Sequence, residues 1–291
     1  MAPDRLGVGI LYNPALPLFL ASDIERVDFV EIIPDMFWIN YGIGASPRYV
    51  EQVTAIQGIE NIVKQRPVTL HSIGLSVGSA GMFDCEHVDQ ISNWQKRFGF
   101  AWHSDHLSFN RIGLAEHESH AGLAVPIPYD YEVLDLVSER ICAVMQKIDS
   151  PFLLENNVYY VDLPDQELTE PQFLNLLCAR TKCGLLLDLH NVYTNARNHG
   201  FRAESFIDEL CLDKVVELHI AGGDEMQGMY TDSHAGPVPE PVWSLLDYVL
   251  ERAANIRGVT FEFHESYYPL LKREGICEQL SRAREVWNEN K

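Results

Sequence analysis

Residues 184–191 read Gly184-Leu185-Leu186-Leu187-Asp188-Leu189-His190-Asn191. A short leucine run that opens at a glycine and closes on an aspartate has the length and character of a strand covered on both faces, as in a parallel sheet. The carboxylate at its end cannot remain in such surroundings without a cation or a set of donors. Seven further runs share the pattern: Gly7 to Tyr12, Asp28 to Ile33, Val68 to Ile73, Phe100 to Phe109, Pro151 to Asn157, Val215 to Gly222 and Val259 to Ser266. Helical stretches with their own start signals separate most of them, and alternating β and α units form parallel sheets with right-handed crossovers. Eight units predict an α/β fold, a (β/α)8 TIM barrel, which gathers its active site at the carboxyl ends of its strands.

Ser46-Pro47 reads as the opening of one helix. Thr169-Glu170-Pro171-Gln172 opens another with the spacing of a capping box, and a C-terminal helix is expected over about 267–290. Longer loops are expected at about 34–46, 110–129 and 223–238, at the barrel face where function resides. No linker or repeat divides the 291 residues, so one domain is expected, with its barrel core over about 6–280.

Composition narrows the function. The net charge of −20, from 22 Lys and Arg against 42 Asp and Glu, repels a nucleic-acid backbone. The densest basic stretches, Lys272-Arg273 and Arg282-Ala283-Arg284, fall in the expected C-terminal helix. The N-terminus lacks a signal-peptide layout, and no apolar run reaches the ~20 residues of a membrane span. A cytoplasmic protein without nucleic-acid or membrane partners is expected. Cys85, Cys142, Cys178, Cys183, Cys211 and Cys277 contain no C-x-x-C pair, which fits reduced thiols, and Cys178 and Cys183 are read as packing residues.

The strand ends carry the chemistry. His71, His106, Glu155, Asp188, His219 and Glu262 each close one run. One histidine at a strand end is ordinarily a hydrogen-bonded structural residue. Three acids in one mouth would repel each other strongly unless metal ions neutralised them. Three imidazoles with three carboxylates suit zinc, manganese or non-haem iron, and a carboxylate common to two ions would create a dinuclear centre. The loop pair Asp232-Ser233-His234 adds two more donors. Strand alternation also puts His190 on the side of Asp188.

These motifs occur in a fixed order: His71-Ser72-Ile73-Gly74-Leu75-Ser76, Ser104-Asp105-His106-Leu107, Leu154-Glu155-Asn156, Leu187-Asp188-Leu189-His190-Asn191, Glu217-Leu218-His219-Ile220-Ala221-Gly222 and Asp232-Ser233-His234-Ala235-Gly236-Pro237. The set resembles the multinuclear non-haem iron-dependent oxidative enzymes, TIM barrels related to the xylose isomerase and endonuclease IV superfamily. The resemblance implies one iron on His71, His106 and Glu155, and a second on Glu155, Asp188, His219 and Glu262. A third would involve Asp232 and His234 beside Asn191. The DNA-repair relatives place a histidine where this chain has Asn191, a weaker ligand, with His190 able to substitute or donate a proton.

The same resemblance implies two or three irons in mixed Fe(II)/Fe(III) states, with dioxygen as co-substrate. It further implies a ribosomally made precursor peptide with a C-terminal cysteine as substrate, and a small leader-binding partner protein forming a heterodimer. Known outcomes in the family are heterocycle with thioamide formation or excision of the cysteine β-carbon. The stretch from Asn13 to Ile43 points to the 3-thiaglutamate-pathway branch, which performs the excision. Two alternative readings are an endonuclease IV-like phosphodiesterase, which Asn191 and the charge disfavour, and a sugar isomerase, whose expected lysine is absent from the strand ends. A further alternative is a barrel without catalysis that serves as an adaptor. Trp38, Tyr41, Tyr267 and Tyr268 are candidate surface aromatics for a partner or peptide.

Overall fold

The computed structural model describes residues 4–114 and 117–290. Its centre is a closed barrel of β1 (Gly7–Leu11), β2 (Phe29–Ile32), β3 (Val68–Ser72), β4 (His103–His106), β5 (Phe152–Glu155), β6 (Gly184–Asp188), β7 (Val215–Ile220) and β8 (Gly258–Phe261). Each strand runs parallel to its sequence neighbours, and β8 closes against β1 with Ile10 beside Phe261. Around it lie α1 (Pro17–Asp23), α2 (Val53–Val63), α3 (Cys85–Phe98), α4 (Tyr131–Lys147), α5 (Glu170–Thr181), α6 (Leu189–His199), α7 (Ala203–Glu209), α8 (Glu240–Leu250) and α9 (Tyr268–Glu289). All eight expected strands are present, and the fold is the (β/α)8 barrel the alternation predicts.

Alternate strand residues fill the interior in layers. At the amino end Phe29, Trp102, Leu153 and Leu186 form a closed apolar cluster separate from the core beneath the helices. Gly9 is required there, because a β-carbon on it would stand 2.6 Å from the Phe29 ring. The next layer is polar, and most of its groups pair with one another. Trp102 Nε1 donates to Glu217 at 2.6 Å, Thr260 donates to Glu217 at 2.8 Å, and Thr69 donates to Glu31 at 3.1 Å. Hydrogen bonds at each step offset the desolvation that isolated acids would suffer. The metal-ligand residue types form the top layer.

Three antiparallel hairpins lie in and beside the expected long loops: 38–40 with 49–51, which runs past the expected end at 46, 109–114 with 117–125, and 224–226 with 229–231. Asp84, at the N-cap of α3, ties two of them together. Its carboxylate accepts from Arg48 of the first hairpin, from Arg111 of the second and from the His87 amide.

Four expectations need correction. No helix opens at Ser46-Pro47: Tyr49–Glu51 is a strand, and α2 starts only at Val53. Pairing of Trp38 with Glu51 and the clamp of Arg48 on Asp84 hold that stretch extended. The run from Phe100 to Phe109 shrinks to His103–His106, and that from Gly184 to Asn191 stops at Asp188. Asp188 is the N-cap of α6, its Oδ1 accepting from the Asn191 amide at 2.8 Å. His190 therefore sits in a helical turn, and strand alternation does not apply to it. Trp38 is buried edge-on against Trp94, with ring centroids 4.9 Å apart, so it is no surface aromatic. Tyr41 is exposed, and Tyr267 and Tyr268 are half-buried.

Candidate metal centre

Parallel register brings the strand ends to one level: His106 pairs with Glu155 and Asp188 with His219. Glu155 is the hub. Its Oε2 lies 3.3 Å from His71 Nε2 and 3.3 Å from His106 Nε2. The other nitrogen of His71 contacts the Ser104 hydroxyl at 2.9 Å, which fixes the ring so that Nε2 faces the carboxylate. Asn156 pins the two acid-bearing strands together, donating to the Asp188 carbonyl at 3.0 Å and accepting from the Asp188 amide at 2.8 Å.

His219 stands between two acids. Its Nδ1 is 3.1 Å from Glu262 Oε1 and its Nε2 is 3.0 Å from Glu31 Oε2. Three groupings have donor atoms close enough to share an ion: His71 with His106 and Glu155, Glu155 with Asp188 and His219, and Glu31 with His219 and Glu262. Glu31 is the residue that sequence reasoning missed. Its signal was a glutamate at an inward position of an otherwise apolar strand.

The outer residues adjoin the same cluster. His234 Nε2 lies 3.1 Å from Asp232 Oδ1 and 3.6 Å from Glu262 Oε2, and its backbone has φ of 51°. A histidine held in the left-handed region is a strained choice, of the sort found where a side chain must be aimed. His190 Nδ1 contacts Asp232 at 2.9 Å, and its Nε2 is 3.4 Å from the Tyr230 hydroxyl. Asn191 Nδ2 is 3.4 Å from Glu155 Oε1.

Burial and mutual charge set the electrostatics of the cluster. Burial, with help from Asp188 and Glu262, pushes the Glu155 carboxyl well above its usual range despite His219. Burial, with Asp232 and Glu262, lifts Asp188 to about 6. Burial and the neighbouring imidazoles hold His71 far below its usual value, and burial lowers His106. Asp232 and Glu262 raise His234 to about 10 against the cost of burying its charge. Glu155 and Asp188 are thus pushed toward the protonated acid and His71 and His106 toward neutral imidazole, whereas His219 and His234 are held as cations beside the carboxylates of Glu262 and Asp232.

Orphaned atoms give the test of fit. Glu155 Oε2, Glu31 Oε2, Asn191 Oδ1 and both ring nitrogens of His219 are buried without a hydrogen bond among the described residues. Such groups are costly unless something accepts their lone pairs. Two or more transition-metal ions fit this donor set of imidazole and carboxylate. A cavity of about 310 Å³ opens onto it, lined by His71, His106, Glu155, Asp232, His234 and Glu262 together with the apolar Leu11, Ile33, Met36, Ile73 and Phe263.

The family of RiPP precursor modification enzymes MbnB/TglH/ChrH, which act in the biosynthesis of ribosomally synthesised and post-translationally modified peptides, matches residues 6–287. This chain belongs to that family. It is therefore an enzyme, and the likeness drawn from its strand-end motifs extends over nearly its full length. A UPF0276 protein of Caulobacter vibrioides is 32% identical over 285 residues, covering 98% of this chain and 94% of that one. Another from Neisseria meningitidis serogroup C is 27% identical, covering 96% and 94%. Among solved structures, endonuclease IV from Thermus thermophilus has a TM-score of 0.56 at 14% identity, covering 99% of this chain and all of that one. D-psicose 3-epimerase from Clostridium cellulolyticum has a TM-score of 0.57 at 10% identity, with 97% of each chain covered. Those structures share the fold with this enzyme. No helix among the described residues is long and apolar enough to cross a membrane.

Asn191 yields a direct prediction. Its Oδ1 is buried without a partner among the described residues and its amide lies 3.4 Å from Glu155 Oε1, and an imidazole in its place would be the stronger ligand for a metal ion. Replacing it, Asn191→His, is expected to raise the metal retained after dialysis toward three ions per chain. Unchanged stoichiometry in a folded variant would remove Asn191 from the third position.

Proposed function

We propose that this enzyme is a multinuclear iron-dependent oxidase that uses dioxygen to modify a cysteine of a ribosomally made precursor peptide, acting with a leader-binding partner protein. The observation that carries the reading is Glu155: one carboxylate oxygen equidistant from two histidine nitrogens, buried, without a donor, and adjacent to Asp188 and His219. A carboxylate so placed is suited to bridge two cations. Iron held by His71, His106 and Glu155, by Glu155, Asp188, His219 and Glu262, and by Asn191, Asp232 and His234 would supply dioxygen activation and accept electrons from the substrate.

The chain's own residues do the rest. Ser104 and Asn156 keep the His71 ring and the β5 and β6 ends in place, so that little reorganisation accompanies reaction. The apolar wall of Leu11, Ile33, Met36, Ile73 and Phe263 limits water beside the reacting sulfur. His190 Nδ1, 2.9 Å from Asp232, fixes the orientation of that carboxylate. Ile39, Tyr41, Ile43 and Val50 remain exposed on and around the first hairpin beside that wall, an apolar strip suited to a peptide or a partner protein.

Elemental analysis of protein purified without oxygen or chelator tests the proposal. Two to three irons per chain, with oxygen uptake that depends on a cysteine-containing precursor peptide, is the expected result. Zinc as the dominant metal, with no peptide-dependent oxygen uptake after iron loading, would overturn it in favour of hydrolytic chemistry.

A further inference from the structure

A second cavity lies on the same end of the barrel. It encloses about 260 Å³ between the segment leading into α4 and the segment that runs from β5 into α5. Ile127, Tyr129, Tyr159 and Leu168 form its walls, and Glu170 is set among them. Glu170 is 6% exposed, and neither of its carboxylate oxygens accepts a hydrogen bond from the described residues. The Tyr129 phenol beside it acts against burial, lowering its carboxyl. Burial pushes its carboxyl up to about 8.

Glu170 is the first residue of α5, where an acid could simply serve the helix terminus. That role is already filled. Thr169 accepts from the Gln172 amide, and the Gln172 side chain returns to the Thr169 amide, completing a capping box without Glu170. The carboxylate thus lines the cavity together with Tyr129 and Tyr159 and has no capping duty. A lining that combines a buried carboxylate, two tyrosines and aliphatic side chains matches a long side chain that ends in a cation.

We propose that this cavity is a subsite for the cationic end of a peptidyl lysine or arginine side chain, with Glu170 as its counter-ion. Its position connects it to the catalytic mouth. The neighbouring Tyr160 hydroxyl accepts from the Asp232 amide at 3.0 Å, so one segment borders both the cavity and the metal-binding loop. If the peptide-oxidase reading holds, a basic residue of the precursor seated here would fix the register of the peptide relative to the modified cysteine. The subsite itself rests on the cavity and not on that reading.

The test uses the full chain with N-acetyl-lysine methylamide and N-acetyl-arginine methylamide as probes, and the neutral N-acetyl-norleucine methylamide as the comparison. Binding is followed by NMR shifts of the Tyr129 and Tyr159 rings, which needs neither metal nor turnover. At least one cationic probe is expected to bind ten times or more tighter than the norleucine analogue, shifting both rings. Glu170→Gln, which keeps shape and removes charge, is expected to abolish that preference. Equal binding of all three probes to the wild type overturns the proposal, as do shifts confined to other tyrosines or a preference that survives in Glu170→Gln. Should Glu170→Gln fail to fold, the wild-type comparison alone decides. Failure here leaves the oxidase proposal standing, because iron content and oxygen uptake are measured separately.

Discussion

Glu155→Ala is expected to reduce bound iron to no more than one per chain and to eliminate peptide-dependent oxygen uptake. The size of the effect follows from sharing. Four-ligand transition-metal sites bind with ~10–16 kcal/mol, about 3 kcal/mol per ligand if divided evenly. Losing one ligand therefore weakens an ion roughly a hundredfold. Glu155 faces both the His71–His106 pair and the Asp188–His219 pair, so two positions lose affinity at once. Glu155→Gln separates this role from a structural one. In metal-free protein it removes an acid that burial already disfavours, so its thermal midpoint should equal or exceed that of metal-free wild type. In the presence of iron the order should reverse. An iron-loaded, active Glu155→Ala protein would sink the bridging assignment.

Asp84→Ala carries the second largest expected effect, and it acts far from the chemistry. The carboxylate accepts from Arg48 Nη1 at 2.9 Å, from Arg111 and from the His87 amide at 3.1 Å, and all three side chains at the junction of Arg48, Arg111 and Asp84 are buried. Its removal takes from the buried Arg48 guanidinium its buried counter-ion and leaves it the exposed Glu86 carboxylate at 2.8 Å. Breaking a buried pair from one side costs about 3–5 kcal/mol. At roughly 2–4 °C per kcal/mol for a chain near this size, the midpoint should fall by on the order of 10 °C. Hydrogen exchange should quicken in the 38–51 hairpin, since Arg48 is its anchor. Asp84→Asn should keep the helix cap and recover part of the loss. A midpoint within two degrees of wild type, about the effect of a surface substitution, would show that the junction contributes little.

Much of this was legible in the sequence because strands and ligands leave local marks. A leucine run closed by Asp188, or Phe152-Leu153-Leu154 closed by Glu155, carries both its secondary structure and its chemical problem in a few residues. The capping box at Thr169 was equally local, and α5 begins there. Where the reading failed, a longer-range contact decided. Ser46-Pro47 has the letters of a helix start, but Arg48 reaches Asp84 and the segment pairs with Trp38–Asn40. Asp188 reads equally well as mid-strand or as N-cap, and only the start of α6 at Leu189 shows which. The overlooked clue was the Asp188-x-x-Asn191 spacing, which suits a cap.

The sequence by itself determined the barrel, through eight apolar runs alternating with helices, and the donor types at its mouth. Tertiary structure alone decided which donors come close enough to share an ion. Glu31 and Glu262 are separated by most of the chain, yet parallel register around a closed barrel sets both against His219. Side-chain type is a property of one residue and periodicity of its neighbours, whereas the 3 Å separations on which coordination depends are fixed by how distant strands are staggered when the sheet closes.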